Sequence, residues 1–242
     1  MTRECSSDYE KIKLYISRYS ISKNLEYSEY TKSLKLMHKC YFAAITWSAE
    51  LNNSKQEFLK IHTCSNDDIF FRLIESVSDL GSSLFNWANG NYKASKVMLR
   101  ISIENFIKAT SAIECKAQLT EKSVYKIFDI ASDLLIFSDA VNPRIRTCYE
   151  ALHGDYKLLC EDVHTATTHN MGHLTSLADL PAFHIGKSSN TADIYIRVSK
   201  NITSIFCILF NSFFHQMHHR NRENILNCLN RNLRSAILAP QG

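Results

Sequence analysis

Apolar residues recur along most of this chain at three- and four-residue intervals, the spacing of helices buried along one side. Two such segments open it, at about residues 7–22 and 28–52, the second carrying Leu34, Leu36, Met37, Cys40, Tyr41, Ala44 and Ile45. Asn52-Asn53-Ser54 breaks the pattern, and residues 56–65 hold no clear period. Ser65-Asn66-Asp67-Asp68 then supplies side-chain acceptors of the kind that start a helix. Helices are predicted over about 69–87, 92–113, 121–138 and 143–165. Asn89-Gly90-Asn91 stops the first of these. Asn142-Pro143 divides the last two, because the residue before a proline is pushed out of the helical region while the proline itself can open a helix. Residues 166–190 are the least regular part. They predict a short helix at 170–179, then Pro181 and a loop ending in Lys187-Ser188-Ser189-Asn190. Two last helices are expected over 191–219 and 221–237.

This pattern predicts an all-α protein, a bundle of about seven to nine helices. Only 6 Gly and 3 Pro are present in 242 residues, too few for the tight turns that a sheet of hairpins needs. No 20–50-residue repeat occurs. The expected layout is one helical domain over 1–242, with 1–66 as an N-terminal helical extension, 67–165 as the core and 191–237 as C-terminal helices packed on it.

Charge narrows the partners only a little. The formal net charge is +4, and the basic residues are dispersed apart from Arg220, Arg222, Arg231 and Arg234. RNA is permitted as a partner but not demanded. The stretch Ile202–Phe214 is apolar but carries Thr203, Ser204, Asn211 and Ser212, and is shorter than the roughly 20 residues a bilayer span needs. It reads as a core helix, and no membrane association is expected. Eight cysteines lie far apart with no CxxC pair, and the N-terminus MTRECSSDYEKIK lacks an apolar signal core, which points to reduced thiols in the cytoplasm. Neither GxxxxGK[ST] nor GxGxxG is present, so no nucleotide-binding motif exists in this chain, and no cofactor is implied. Two histidine groups, His164/His169/His173 and His215/His218/His219, lack a Cys or acidic residue at a familiar ligand spacing. They read as loop and helix-end residues, not as metal ligands.

Two constellations carry potential chemistry. On the helix 143–165, Tyr149, Leu152, Tyr156, Leu159, Cys160 and Val163 form an apolar stripe, and His153, Lys157, Glu161 and His164 fall on a neighbouring arc. An imidazole exchanges protons near neutral pH, a Lys stabilises a phosphate-centred anion, and Glu161 can orient a histidine. The same residues also suit a solvated helix flank, with Lys157 and Glu161 as a surface i, i+4 pair. On the helix 92–113, Arg100 and Glu104 lie one turn apart among apolar neighbours. That spacing suits a partly buried ion pair that fixes helix packing.

The segments LRISIENFI (Leu99 to Ile107) and YKLLCEDVH (Tyr156 to His164), the second on a helix preceded by Pro143, resemble the HEPN superfamily of helical domains. The resemblance spans about residues 67–165 and implies a HEPN-like core. In catalytic members an Arg lies four to six residues before the His, and the pair cleaves RNA without a metal in a cleft between two protomers. Here His164 is present, Lys157 is the only basic candidate near that window, and Leu158 stands where a polar residue is common. Lysine lacks the planar two-pronged donor set of arginine. Members without the full motif act as binding or structural modules, often in prokaryotic anti-phage and toxin–antitoxin systems. The resemblance therefore implies a HEPN-like binding or scaffold protein with a protein partner or homodimer. The alternatives are a metal-independent endoribonuclease using His164, with Lys157 and Glu161 in support, and an unrelated helical adaptor.

Overall fold

The structure, a computed structural model, describes residues 21–61, 67–163, 181 and 183–238. Among these it holds ten α-helices and no strand. They are α1 (Ser28–Asn53), α2 (Lys55–Ile61), α3 (Asp68–Ala88), α4 (Tyr92–Ala112), α5 (Val124–Asp133), α6 (Pro143–Val163), α7 (Ile185–Leu209), α8 (Asn211–Gln216), α9 (His219–Asn227) and α10 (Arg231–Leu238). Short 3₁₀ turns at Ser22–Glu26, Lys116–Leu119 and Leu135–Phe137 complete it. The expected segments at 7–20 and 170–179 lie outside the described residues.

The antiparallel hairpin α3–α4 is the most intimate pairing. Its turn is built by Gly90, which takes φ 76°, a conformation that costs other residues strain. The Gly90 N–H donates to the Trp87 carbonyl and the Asn91 N–H to that of Asn86, so the last carbonyls of α3 are satisfied. Asn91 then accepts from the Ala94 N–H and caps α4. Between the two helices sit serines. The Ser76 hydroxyl donates to the Ser102 carbonyl at 2.9 Å, and Ser102 returns a bond to the Ser76 carbonyl at 2.7 Å. Ser83 does the same to the Ser95 carbonyl at 2.9 Å. All four serines are fully buried. Small side chains let the backbones approach, and three of the four hydroxyls donate to a carbonyl on the opposite helix, while the Ser95 hydroxyl pairs with that of Ser83 at 3.0 Å.

Helix α7 crosses the interior against α1, α4 and α6. Trp47 of α1 is its main counterpart, stacked on Phe206 at 5.3 Å and near Phe213 and Phe214, with its indole N–H directed at the Cys207 sulfur. Helix α1 also fills the core with Met37, Ala43, Ala44 and Leu51. Residues 185–190, whose Gly, Ser and Asn content predicts a loop, instead form the start of α7. Tertiary anchors override local propensity there: Ser188 is buried, its carbonyl accepts from the Trp87 indole at 3.0 Å, and the His184 N–H donates to the Tyr92 hydroxyl. The expected long helices 191–219 and 221–237 are also broken, at Phe210, at Met217-His218 and at Cys228–Asn230. Two of the clustered arginines serve those breaks. Arg222 donates to the His215 carbonyl, and Arg234 to the carbonyls of Leu229 and Asn227. No helix among the described residues is long and apolar enough to cross a membrane.

The serine contacts make a stability prediction. Ser76→Leu must force α3 and α4 apart and should cost about 1–3 kcal/mol or more, whereas Ser76→Ala should cost about 1 kcal/mol. Urea denaturation of the two variants beside the parent protein measures both; equal, small losses would mean that the helices are not held at this distance by side-chain size.

Candidate functional site

The ion pair expected on α4 forms, and α6 joins it. The Arg100 Nε donates to Glu104 Oε1 at 2.9 Å, with both side chains about three-quarters buried. The Tyr156 hydroxyl of α6 donates to the same carboxylate oxygen at 2.9 Å, and the guanidinium lies 5.7 Å from the centre of the Tyr156 ring. Burial works against the Arg100 charge, but Glu104 outweighs it and raises the pKa of the guanidinium. The Tyr156 hydroxyl is pushed far above its ordinary range, first by burial and then by bonds to Cys160 and Glu104. It is a fixed proton donor to the carboxylate at any working pH.

Beside it, starting at the next residue of α4, a second network reaches α3 through residues not singled out from the sequence. The Asn105 amide donates to Asp79 Oδ2 at 3.0 Å, and its own carbonyl accepts from Arg72 at 3.2 Å, so Asn105 bridges an acid and a base. Asp79 is almost fully buried. Burial raises its pKa to about 6; the Asn105 bond works against this, and Glu75 and Glu104 add to it. Lys108, one turn beyond Glu104, has its pKa lowered by burial and by Arg72. The recurrence of Arg72, Glu75 and Asp79 along one side of α3 is the signal that could have found this row.

On α6 the polar arc is split. His153 is half-buried, stacked on Phe128 at 4.7 Å, with its pKa lowered by burial and by the Lys157 charge, so it is neutral at pH 7. Lys157 and Glu161 lie exposed, as does Leu158. The structure thus joins Arg100, Glu104 and Tyr156, and puts Lys157 and Glu161 on the open side of the same helix. His164 lies outside the described residues, as do His169 and His173. Among the described residues no three His, Cys, Asp or Glu side chains converge on a point where a metal could sit. The six described cysteines are free thiols; Cys40 and Cys148 have their pKa raised to about 11 by burial, which keeps them unreactive.

A second feature lies between α1 and α3. An open groove of about 500 Å³ is lined by Tyr41, Ile45 and Ser48 of α1 and by Ile74, Ser78, Gly81, Ser82 and Phe85 among others of α3, and no lining residue is charged. Gly81 shapes its floor, since a Cβ there would come within 2.8 Å of the Tyr41 hydroxyl. Phe85, 70% exposed, stands at its rim, with Phe42, Ile45 and Phe71 also open to solvent along the same two helices.

Fold and site together define an all-helical bundle with an internal ion-pair network at its α3–α4–α6 junction and an uncharged groove on another side of α3. No protein-family model, no curated protein and no solved structure matches this chain.

The raised Asp79 carboxyl has a sign that can be tested. It binds its proton more tightly in the folded protein than in the unfolded chain, whose Asp titrates near 3.9, so folding stability should fall as pH rises from about 4 to about 6. Asp79→Asn keeps an acceptor for Asn105 and removes that titration. It should stabilise the protein at pH 7 by about 1–2 kcal/mol and flatten this part of the pH–stability curve. Chemical denaturation from pH 4 to 7 measures it; unaltered pH dependence in the variant would assign the slope to another group.

Proposed function

We propose that this chain is a HEPN-like helical binding module that holds a protein partner through the groove between α1 and α3, in the setting of a prokaryotic defence or toxin–antitoxin system. The groove carries the reading. Soluble proteins rarely leave several large aromatic side chains open beside a preformed, uncharged depression unless something binds there. The polar network on α4 and α6 supports it by subtraction: Arg100, Glu104 and Tyr156 satisfy one another, which fits a role in holding helices and leaves them little capacity for a phosphate.

The second reading, a metal-independent endoribonuclease in which His164 acts as acid/base with Lys157 as the cation, is favoured by one observation. Lys157 is exposed beside a neutral, half-buried His153, a pairing that suits contact with an anion. It requires two copies of α6 to meet across a shared cleft.

Purified protein and His164→Ala, each incubated with RNA with and without chelator, separate the two. We expect no cleavage above background from either protein. Chelator-resistant cleavage by the parent protein that is lost in His164→Ala overturns the binding-module reading and makes Lys157 the next residue to replace.

A further inference from the structure

We infer that the occupant of the α1–α3 groove is a second copy of this chain, and that the protein forms a two-fold dimer in which the α3 helices lie antiparallel across each other. This rests on the binding-module reading and names its partner.

Helix α3 divides its surface unevenly. At 100° per residue, Phe71, Ile74, Ser78, Gly81, Ser82 and Phe85 share one arc about 100° wide, opposite the middle of the core-facing side and bordered on one edge by the Arg72–Glu75–Asp79 row. A surface helix normally spends such an outer arc on charged residues. Here there is none: residues 80–92 contain no charged side chain, and neither do residues 40–49 of the facing α1. Phe42 and Ile45 extend the apolar surface onto α1.

The shape of this surface complements itself. A projecting side chain, Phe85, stands one turn from Ser82 and two turns from Ser78, both small, while the Tyr41 ring of the same chain lies against Gly81. A two-fold axis through Gly81-Ser82, with the helices antiparallel, carries residue 85 of one copy onto residue 78 of the other and the reverse. Both phenylalanines then fill both depressions at once. This is the requirement of an isologous contact, in which the same patch must serve as knob and as hollow.

Charge and area agree with a copy as the occupant. Each chain carries net +4, so two copies repel at a distance, and only a face free of charge lets them meet without opposing like charges. A partner recognised by charge would need charged groups in the groove to read it, and the lining has none. Phe85, Phe42 and Ile45 together leave on the order of 300 Å² open, while Phe71, further along α3, lies under the Lys55 ammonium. That is less than half of the roughly 800 Å² per partner in a stable interface, before Tyr41, Ile74 and the serines are added. A surface at this small end of the range suits a weak, reversible dimer.

Sedimentation velocity of the full chain across about 1–100 µM should show the mass rising toward twice that of one chain. Phe85→Glu should remain monomeric throughout, with unchanged circular dichroism and melting, because Phe85 makes few contacts within its own chain. A parent protein that stays monomeric overturns the inference. So does a Phe85→Glu variant that dimerises as well as the parent, which would move the contact to another face such as α6. A photo-crosslinking amino acid at Ser82, used in cells that make the protein, separates the two levels of the argument. A crosslink to residues 74–85 of another copy supports the dimer. A crosslink to a different polypeptide overturns it and leaves the binding-module reading standing, whereas no crosslink at all removes both.

Discussion

The close approach of α3 and α4 governs the rest of this structure. Four buried serines set the distance, three of their hydroxyls donating to a carbonyl on the opposite helix and the fourth pairing with a hydroxyl, and a glycine with positive φ makes the turn that brings the helices together. The serines stabilise modestly, about 1 kcal/mol per hydrogen bond. Their larger effect is geometric. With no bulk between them, the helices put Asp79 within reach of Asn105, and Arg72 within reach of the same amide. Leucines at these positions would hold the charged row and its partners too far apart to bond.

From that spacing follows an uneven distribution of charge on α3. The side next to α4 can carry Arg72 and Asp79 because α4 offers Asn105 to both, and the Leu119 carbonyl accepts from Arg72 as well. The cost falls on Asp79, whose carboxyl is buried with two other acids nearby and has its pKa raised to about 6. The side toward α1 carries no charge, and there Gly81 lets the Tyr41 ring settle across the helix. One helix thus separates an ionic junction from an apolar groove by less than half a turn of its circumference.

Much of this was legible in the sequence, for a physical reason. Helical periodicity over α1, α3, α4 and α6 is strong, and capping and stopping residues such as Asn89-Gly90-Asn91 and Pro143 mark their ends. Arg100 and Glu104 were readable as a buried pair because i, i+4 neighbours in a helix must meet. Asp79 and Asn105 were not, since their bond depends on how two helices align, which no local pattern encodes. The start of α7 failed in the other direction. Its residues favour a loop, and the Trp87 indole and the Tyr92 hydroxyl, about a hundred residues earlier, anchor them as helix. The groove was invisible because exposed aromatics on a helix look the same in sequence as buried ones.

The division of α6 bears most directly on chemistry. Tyr156 and Lys157 are adjacent in sequence but a helical step of about 100° turns them to different surroundings. Tyr156 is committed: its hydroxyl holds Glu104, and Glu104 holds Arg100. A phosphate arriving there would have to compete with a carboxylate already bound to the guanidinium, and would leave Glu104 close to a second anion. Lys157 is under no such constraint, so an anion that engages this end of α6 would approach from the side of Lys157 and Glu161. On that side the cation is a flexible ammonium with an acid one turn away, an arrangement suited to loose electrostatic contact. Tight positioning of a transition state demands fixed donors, and on this helix the fixed donor points inward.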